Sequence, residues 1–363
     1  GKMLNADCII VGSVAVLGCP LYITARMIEV ETGKILHSAK MSLDVWSDYE
    51  KQLPKFAKDC VEKMPVPDYF AGTWQTSVST DSADYDYEIK LEKNGKCSVK
   101  VVTYDSAGTE KTQINFYSST PNLVELYKPG KTDERRCFVT DATVATLPCV
   151  VPFIDCFEDG KCGNDILIIL GSGESYKTIE SVLTIVKDAV DSGFARKDLF
   201  VGIGGGVICD LTGFAASLFK RGAKVQFVPT TLLAMVDASI GGKTGCDFEN
   251  YKNMIGSFFP AQQIHIYPEF VQSLSKEQYR SGLAEALKTA LLYDSDLYQI
   301  IKTEKTKILN RDSKIIDTII QKCAKAKANV VQEDFTEKNI RMYLNLGHTF
   351  GHALETIIGL GKI

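Results

Sequence analysis

Histidine is scarce in this chain, with four among 363 residues, so any two of them close together carry information. A basic surplus is missing as well: 41 Lys plus Arg stand against 45 Asp plus Glu, a net charge of -4. That balance gives no global positive field for a nucleic-acid backbone, although a local pocket can still hold phosphate groups, and no nucleic-acid partner is expected. No stretch approaches about eighteen uninterrupted apolar residues, and the first residues lack the charged, apolar and small-residue order of a secretory signal. No membrane-spanning segment is expected, and the chain reads as soluble. Its eleven cysteines are an odd number and form no CxxC pair; the spacings of Cys149, Cys156 and Cys162 match no zinc knuckle. Reduced thiols, rather than a disulfide framework, are expected.

With 45% hydrophobic residues, a chain of this length buries a substantial core and divides into two or three domains. Runs rich in Ile and Val at 8–16 and 21–30, and a third at 35–43, predict a hairpin sheet, and the apolar spacing over 49–64 predicts a helix stopped by Pro65 and Pro67. Short alternating segments at 85–91 and 96–104, joined by Asn94-Gly95, predict a small antiparallel sheet. From 136 to about 263 strands buried on both faces alternate with helices: strands at 136–139, 166–170, 199–203 and 225–228, helices at 178–192 and 209–219. That texture is a parallel α/β sheet. After Pro268 the pattern is helical, at roughly 275–301, 303–333 and 337–358.

Gly202-Ile203-Gly204-Gly205-Gly206 follows a buried strand and opens a helix. Missing Cβ atoms permit a tight turn and close approach of a phosphate to the amides at the helix start. The same glycines also suit a plain tight turn between packed elements, and the spacing is not G-x-G-x-x-G. Asp210 either caps this helix or approaches a sugar hydroxyl. A second run, from Pro229-Thr230-Thr231 through Asp237 to Gly241-Gly242-Lys243-Thr244-Gly245, joins hydroxyls, an acid and a lysine, with Lys252-Asn253 close behind. Lysine as a movable charge and asparagine as a neutral donor suit a carboxylate or phosphate beside hydroxyls. Gly-Gly-Lys-Thr is not a complete phosphate loop, which argues against an ATPase.

Glu285 and Lys288 stand three apart and share a helical face, as either a surface salt bridge or part of a site. His348 and His352 stand four apart, on one face if helical, as either core histidines or part of a metal centre in which Glu285 and His348 are ligands and His352 serves the substrate or second shell.

From about 114, and most clearly from 135, the chain closely resembles 3-dehydroquinate synthase, of the sugar phosphate cyclase family. The matching strings are Gly171-Ser172-Gly173-Glu174 with Lys177, then 204–210, Arg221-Gly222, 229–245, Lys252-Asn253, 282–288 and 345–355. The stretch 5–64 resembles α/β modules of bacterial envelope proteins, and 68–112 a lipocalin-like β module; neither carries a constellation of reactive residues. The expected architecture is α/β: an NAD-binding Rossmann-like parallel sheet, followed by an incomplete α-helical metal and substrate domain and preceded by small β-rich accessory modules. The expected boundaries are 1–65, 66–113, 114–267 and 268–363.

The resemblance implies conversion of 3-deoxy-D-arabino-heptulosonate 7-phosphate to 3-dehydroquinate and phosphate in the shikimate pathway, with NAD and a divalent metal, zinc or cobalt. It implies that Asp141, Glu174, Lys177, Gly205, Gly206, Asp210, Thr230, Thr231, Asp237, Lys243 and Lys252 surround NAD. Glu285 and His348 would bind the metal. Lys243, Asn253, Lys288, Lys327, Arg341, Asn345 and His352 would hold the substrate. Arg221 would reach its phosphate, from the other subunit of a homodimer. Where the family has Asp-x-Asn, this chain has Asp141-Ala142-Thr143, which is expected to weaken the nucleotide contact slightly. The family's third metal ligand, in a His-Gly-Glu motif, corresponds to a position beyond Ile363, so the 363-residue chain is expected to bind metal poorly. The rival readings are another sugar phosphate cyclase, a polyol dehydrogenase of the same fold, and a catalytically incomplete fusion serving envelope assembly. Cofactor and pathway imply the cytoplasm; the amino-terminal resemblance points to the envelope.

Overall fold

The computed structural model describes residues 112–348, except 250, together with the backbone of the strands that precede them. Contacts divide the chain into Gly1–Gly72 and Thr73–Ile363.

In the first unit, β1 (Cys8–Val16), β2 (Leu21–Glu29) and β3 (Ile35–Leu43) form an antiparallel sheet in that order. These are the strands expected from the Ile- and Val-rich runs; the helix expected at 49–64 lies outside the described residues.

The second unit is built on a ten-stranded sheet. Its first strands are β4 (Gly72–Ser79), β5 (Asp84–Leu91), β6 (Cys97–Tyr104) and β7 (Glu110–Tyr117). Two short helices, α1 (Leu123–Tyr127) and α2 (Val151–Ile154), flank β8 (Arg136–Asp141). The chain continues through β9 (Lys161–Cys162), β10 (Asp165–Leu170), α3 (Ile179–Asp191), β11 (Leu199–Gly204), α4 (Gly206–Leu218) and β12 (Lys224–Pro229). A separate hairpin, β13 (Lys243–Phe248) with β14 (Tyr251–Phe258), precedes β15 (Gln263–Ile266).

The strand order is β4-β5-β6-β7-β15-β12-β11-β8-β10-β9. From β7 to β10 every neighbour is parallel, whereas β5, β6 and β7 pair antiparallel. β7 crosses residue 113 and pairs on its far edge with β15, so antiparallel and parallel strands share one sheet. All six residues of β11 are buried, as are the first five of β8. A strand covered on both faces needs apolar residues at every position, which is why Leu199-Phe200-Val201 reads as a continuous run. Beneath it, Arg136 forms a fork with Asp165, at 2.9 and 2.6 Å, and donates to the Tyr127 carbonyl at 2.5 Å. This pair is buried at 5% and 1% side-chain exposure and ties the end of α1 to β8 and β10.

The helical region holds α5 (Lys276–Tyr293), α6 (Ser295–Thr303), α7 (Lys305–Leu309) and α8 (Ser313–Glu333). α5 starts with a reciprocal cap between Ser275 and Gln278. The continuous helices expected at 275–301 and 303–333 are each interrupted. Asp294 ends α5 and caps α6 by accepting from the Leu297 amide. Arg311 takes a left-handed φ of 56° and spends its guanidinium on the carbonyls of Val271, Gln272 and Leu274. Of the α-helix expected at 337–358, the part up to 347 is instead a loop with a tight 3-10 turn over Ile340–Asn345, and 349–358 lies outside the described residues. The carboxylate of Asp334 takes the amides of Lys338, Asn339 and Arg341, and so draws the chain into a compact loop ahead of that turn.

Candidate active site

In a parallel sheet with helices on both faces, ligands bind beyond the carboxyl ends of the strands, where the connecting loops diverge. A cleft of about 1130 Å³ lies there. Asp141 ends β8, Glu174 and Lys177 follow β10, Gly205 and Gly206 follow β11, and Thr230 and Thr231 follow β12; all line it. The β13–β14 hairpin contributes Lys243, Lys252 and Asn253, and the helical region contributes Lys327, Arg341, Asn345 and His348. Residues from seven separate segments of sequence thus line one cleft.

The turn after β11 is open toward the cleft. Gly205 occupies the N-cap of α4 and supplies no side-chain cap, so the first amides of a thirteen-residue helix remain available to an anion. A Cβ on Gly205 would lie 3.0 Å from Thr231 Cγ2, and one on Gly206 3.2 Å from Ala238 Cβ. Asp210 does not cap this helix; from its second turn it meets Lys177 at 2.7 Å. Burial alone would lower Lys177, but Asp210, with Glu174 and Asp247 behind it, outweighs burial and holds the ammonium above its usual value. Glu174 in turn pairs with Lys252 at 3.2 Å. The Thr230 hydroxyl is buried and has no hydrogen-bond partner in the protein, a group that a bound ligand can satisfy.

Asp141 accepts from the Thr143 and Val144 amides at 2.9 and 3.1 Å and from the Ser172 hydroxyl at 2.9 Å. Thr143 donates its own hydroxyl to Ser172 at 2.8 Å, so the threonine at this turn is built into the loop rather than left as a gap.

On the opposite wall, Lys327 donates to Asp237 Oδ1 at 2.6 Å. Burial pushes Asp237 up, but Lys327, joined by Lys288 and His348, outweighs it and holds the carboxyl below the usual range. Arg341, 1% exposed, donates to the Gly241 and Phe335 carbonyls at 2.8 and 2.5 Å. Lys243 and Asn345 both contact the carboxylate of Glu337. Glu337 is a site residue that sequence reading missed. The available signal was its spacing, four residues before Arg341 and eight before Asn345, too ordinary in a charged loop to stand out.

Four expected residues fall elsewhere or outside the described residues. Glu285 and Lys288 pair on α5 with side chains only 20% and 9% exposed, so the surface-bridge alternative is corrected: this is a largely buried pair, and one oxygen of Glu285 has no well-formed hydrogen bond. Neither lines the cleft, although the Lys288 charge reaches Asp237. Arg221 lines a second cleft of about 540 Å³ with Arg196, Lys197 and Lys224, apart from the other substrate candidates. His352 lies outside the described residues. Among the described residues no three His, Cys, Asp or Glu side chains form a metal-binding group; Glu285 and His348 supply two donors of suitable chemistry. The glycine cradle, the uncapped helix start and the orphaned Thr230 hydroxyl fit a dinucleotide.

The sequence profile described as 3-dehydroquinate synthase N-terminal matches residues 167–281, and that described as 3-dehydroquinate synthase C-terminal matches 282–363. A 3-dehydroquinate synthase from Saccharolobus solfataricus is 43% identical over 193 residues, 53% of this chain and 54% of that protein. One from Pyrococcus abyssi is 40% identical over 244 residues, 67% of this chain and 69% of that protein. The chain thus spans from about half to about two thirds of the length of these relatives. Among solved structures, 2-epi-5-epi-valiolone synthase from Streptomyces hygroscopicus subsp. jinggangensis, with NAD+ and Zn2+ bound, superposes with a TM-score of 0.60 at 27% identity, covering 69% of each chain.

Proposed function

The chain belongs to the 3-dehydroquinate synthase family, and from that premise we propose that it forms the NAD- and substrate-binding part of an enzyme that converts 3-deoxy-D-arabino-heptulosonate 7-phosphate to 3-dehydroquinate and phosphate. The observation that carries this reading is a single cleft with an uncapped helix start on one wall and Lys243, Lys327, Arg341 and Asn345 on the other. One wall suits a pyrophosphate, and the other a polyhydroxylated dianion.

In this reading Gly205 and Gly206 let the cofactor's phosphates approach the first amides of α4, and Thr230 donates to it. Lys177 and Lys252, held by Asp210 and Glu174, place positive charge along the same wall. Glu285 and His348 are proposed as two ligands of a zinc or cobalt ion. When bound, NAD and the metal supply a reversible hydride acceptor and a Lewis acid at the substrate hydroxyls. Lys243, Lys327 and Arg341 neutralise the carboxylate and the phosphate that departs, in a cleft where fixed charges need not reorganise. Asn253 and Asn345 orient hydroxyls as neutral donors, and Glu337, which contacts both Lys243 and Asn345, holds those two side chains in place. Holding one substrate through oxidation, elimination, reduction and aldol closure makes this positioning central. A homodimer would bring Arg221 of a second copy to the substrate phosphate. No helix among the described residues is long and apolar enough to cross a membrane, and cytoplasmic residence is proposed from the pathway.

The test is direct assay of the chain with NAD, zinc or cobalt and the heptulosonate phosphate, reading phosphate release and dehydroquinate. NAD binding is expected, and whatever turnover the chain supports should give both products in equal amounts. Turnover of sedoheptulose 7-phosphate alone would move the assignment to another sugar phosphate cyclase, and failure to bind NAD would remove the enzyme reading.

A further inference from the structure

The hairpin β13–β14 and the loop after β10 are separate in sequence, yet three polar links join them. The Asp247 amide donates to the Lys177 carbonyl at 2.8 Å, the Lys177 ammonium donates to Asn253 Oδ1 at 2.5 Å, and Lys252 pairs with Glu174 at 3.2 Å. Lys177 is therefore gripped at both ends, backbone and side chain, by one hairpin.

The hairpin needs an unusual local geometry to do this. Its register shifts between Cys246 and Phe248, so Asp247 sits at a bulge. Asn253 takes a left-handed φ of 52°, a conformation that asparagine enters more readily than most residues and that a local hydrogen bond can fix. The fixing contact is Asp247 Oδ1, which accepts the Asn253 amide at 2.8 Å. A bulge re-aims side chains at a site while the ladder continues on either side. The second carboxylate oxygen, Oδ2, is buried without a hydrogen bond, so Asp247 makes its one side-chain contact at the cost of leaving the other oxygen unsatisfied. Such a residue is retained for geometry rather than for stability.

We infer that Asp247 is a positioning residue: it fixes the left-handed turn at Asn253 and thereby sets Asn253 and Lys252 against the Lys177–Glu174 loop, holding the substrate wall and the cofactor wall in one register. It does not line the cleft, and it acts through Lys177, Lys252 and Asn253. The inference rests on the NAD reading above for its functional consequence, whereas the local geometry stands without it.

The experiment uses the whole chain with Asp247→Ala and Asp247→Asn. Asparagine keeps the Oδ1 acceptor; alanine removes it. Three quantities are read: NAD dissociation constant, substrate KM against kcat, and the rate at which Lys177 is acetylated by a small acylating reagent, mapped by mass spectrometry. Asp247→Ala is expected to raise the NAD dissociation constant and KM roughly 10- to 100-fold, the loss of the acceptor that holds the Asn253 amide, and to expose Lys177 to faster acetylation. Asp247→Asn is expected to remain within about threefold of the parent in all three, because the acceptor to Asn253 survives. Unchanged Lys177 acetylation in Asp247→Ala overturns the inference, as does equal impairment of both variants with equal loss of melting temperature. If the parent binds no NAD, the functional reading fails while acetylation still decides the role of Asp247.

Discussion

Lys327 and Asp237 stand ninety positions apart and meet in the cleft, where the ammonium lies 2.6 Å from the carboxylate and 2.5 Å from the carbonyl of the same aspartate. The contact fastens α8 to the loop after β12, and so joins the helical region to the sheet. It also neutralises a carboxylate that burial would otherwise protonate.

Replacing Lys327 by methionine leaves Asp237 without its strongest partner. A destabilisation of roughly 3 kcal/mol is expected, the usual consequence of stranding one member of a buried pair, and Asp237→Asn added to it should recover part of the loss. Asp237 has a folded-state pKa below its unfolded value, so its contribution is present above about pH 4 and is lost as pH falls through the folded pKa. In Lys327→Met the burial that raises the carboxyl is no longer outweighed by its first partner, so this low-pH loss should shrink or reverse sign. Urea titrations of the single and double variants across pH 3 to 7, a range chosen to bracket about 4, check both points.

Gly205→Val probes the helix start. The added side chain would press on Thr231, whose Cγ2 is already 3.0 Å from the Cβ position, and would cover the amides of α4. NAD affinity should fall by more than about tenfold, as expected for blocking close backbone approach, while calorimetric melting shifts far less. Unaltered NAD binding would place the nucleotide elsewhere.

Arg136→Met tests a contact that has no part in the cleft. Opening its fork with Asp165 should cost about 3–5 kcal/mol and lower the melting temperature by roughly 10 °C. NAD affinity of the folded fraction should be unchanged, which separates this clamp from the site residues.

His265 supplies a pH signature of its own. Buried beside Tyr117, which meets its Nδ1 at 2.9 Å, it is held neutral by desolvation, with its pKa lowered to about 4. The unfolded chain, with a histidine near pH 6.5, binds this proton first, so stability is complete above about 6.5 and declines as pH falls toward 4. The window is worth about 3 kcal/mol. His265→Gln should flatten the slope between those limits, measured as the denaturant midpoint against pH; an unchanged slope would assign it to other groups.

Much of the parallel sheet was legible because runs such as Leu199-Phe200-Val201 advertise burial on two faces. The hairpin β13–β14 was not: Lys243, Thr244, Gly245, Lys252 and Asn253 have the composition of a loop, and their strand conformation comes from the pairing of β13 with β14 and packing on α4. The turn over Ile340–Asn345 was misread as α-helix because its apolar spacing fits one, while the decisive contacts come from Asp334 and from burial of Arg341. Within the site, motif strings singled out Lys177, Asp210 and Lys243, which line the cleft, but only the fold reveals that Glu337 bridges Lys243 and Asn345 and that Arg221 opens onto a different face.

The pairing of β7 with β15 sets a timetable for synthesis. Gln113 aligns with Gln263 and Phe116 with Ile266, so during translation the first of these strands emerges about 150 residues before its neighbour, a delay of roughly 8 to 30 s at ordinary elongation rates. For that interval β7 presents an open edge on the nascent chain, with β6 already on its other side, and an open edge invites pairing with other chains. Chaperone capture of ribosome-bound intermediates should therefore end once residue 266 has cleared the exit tunnel.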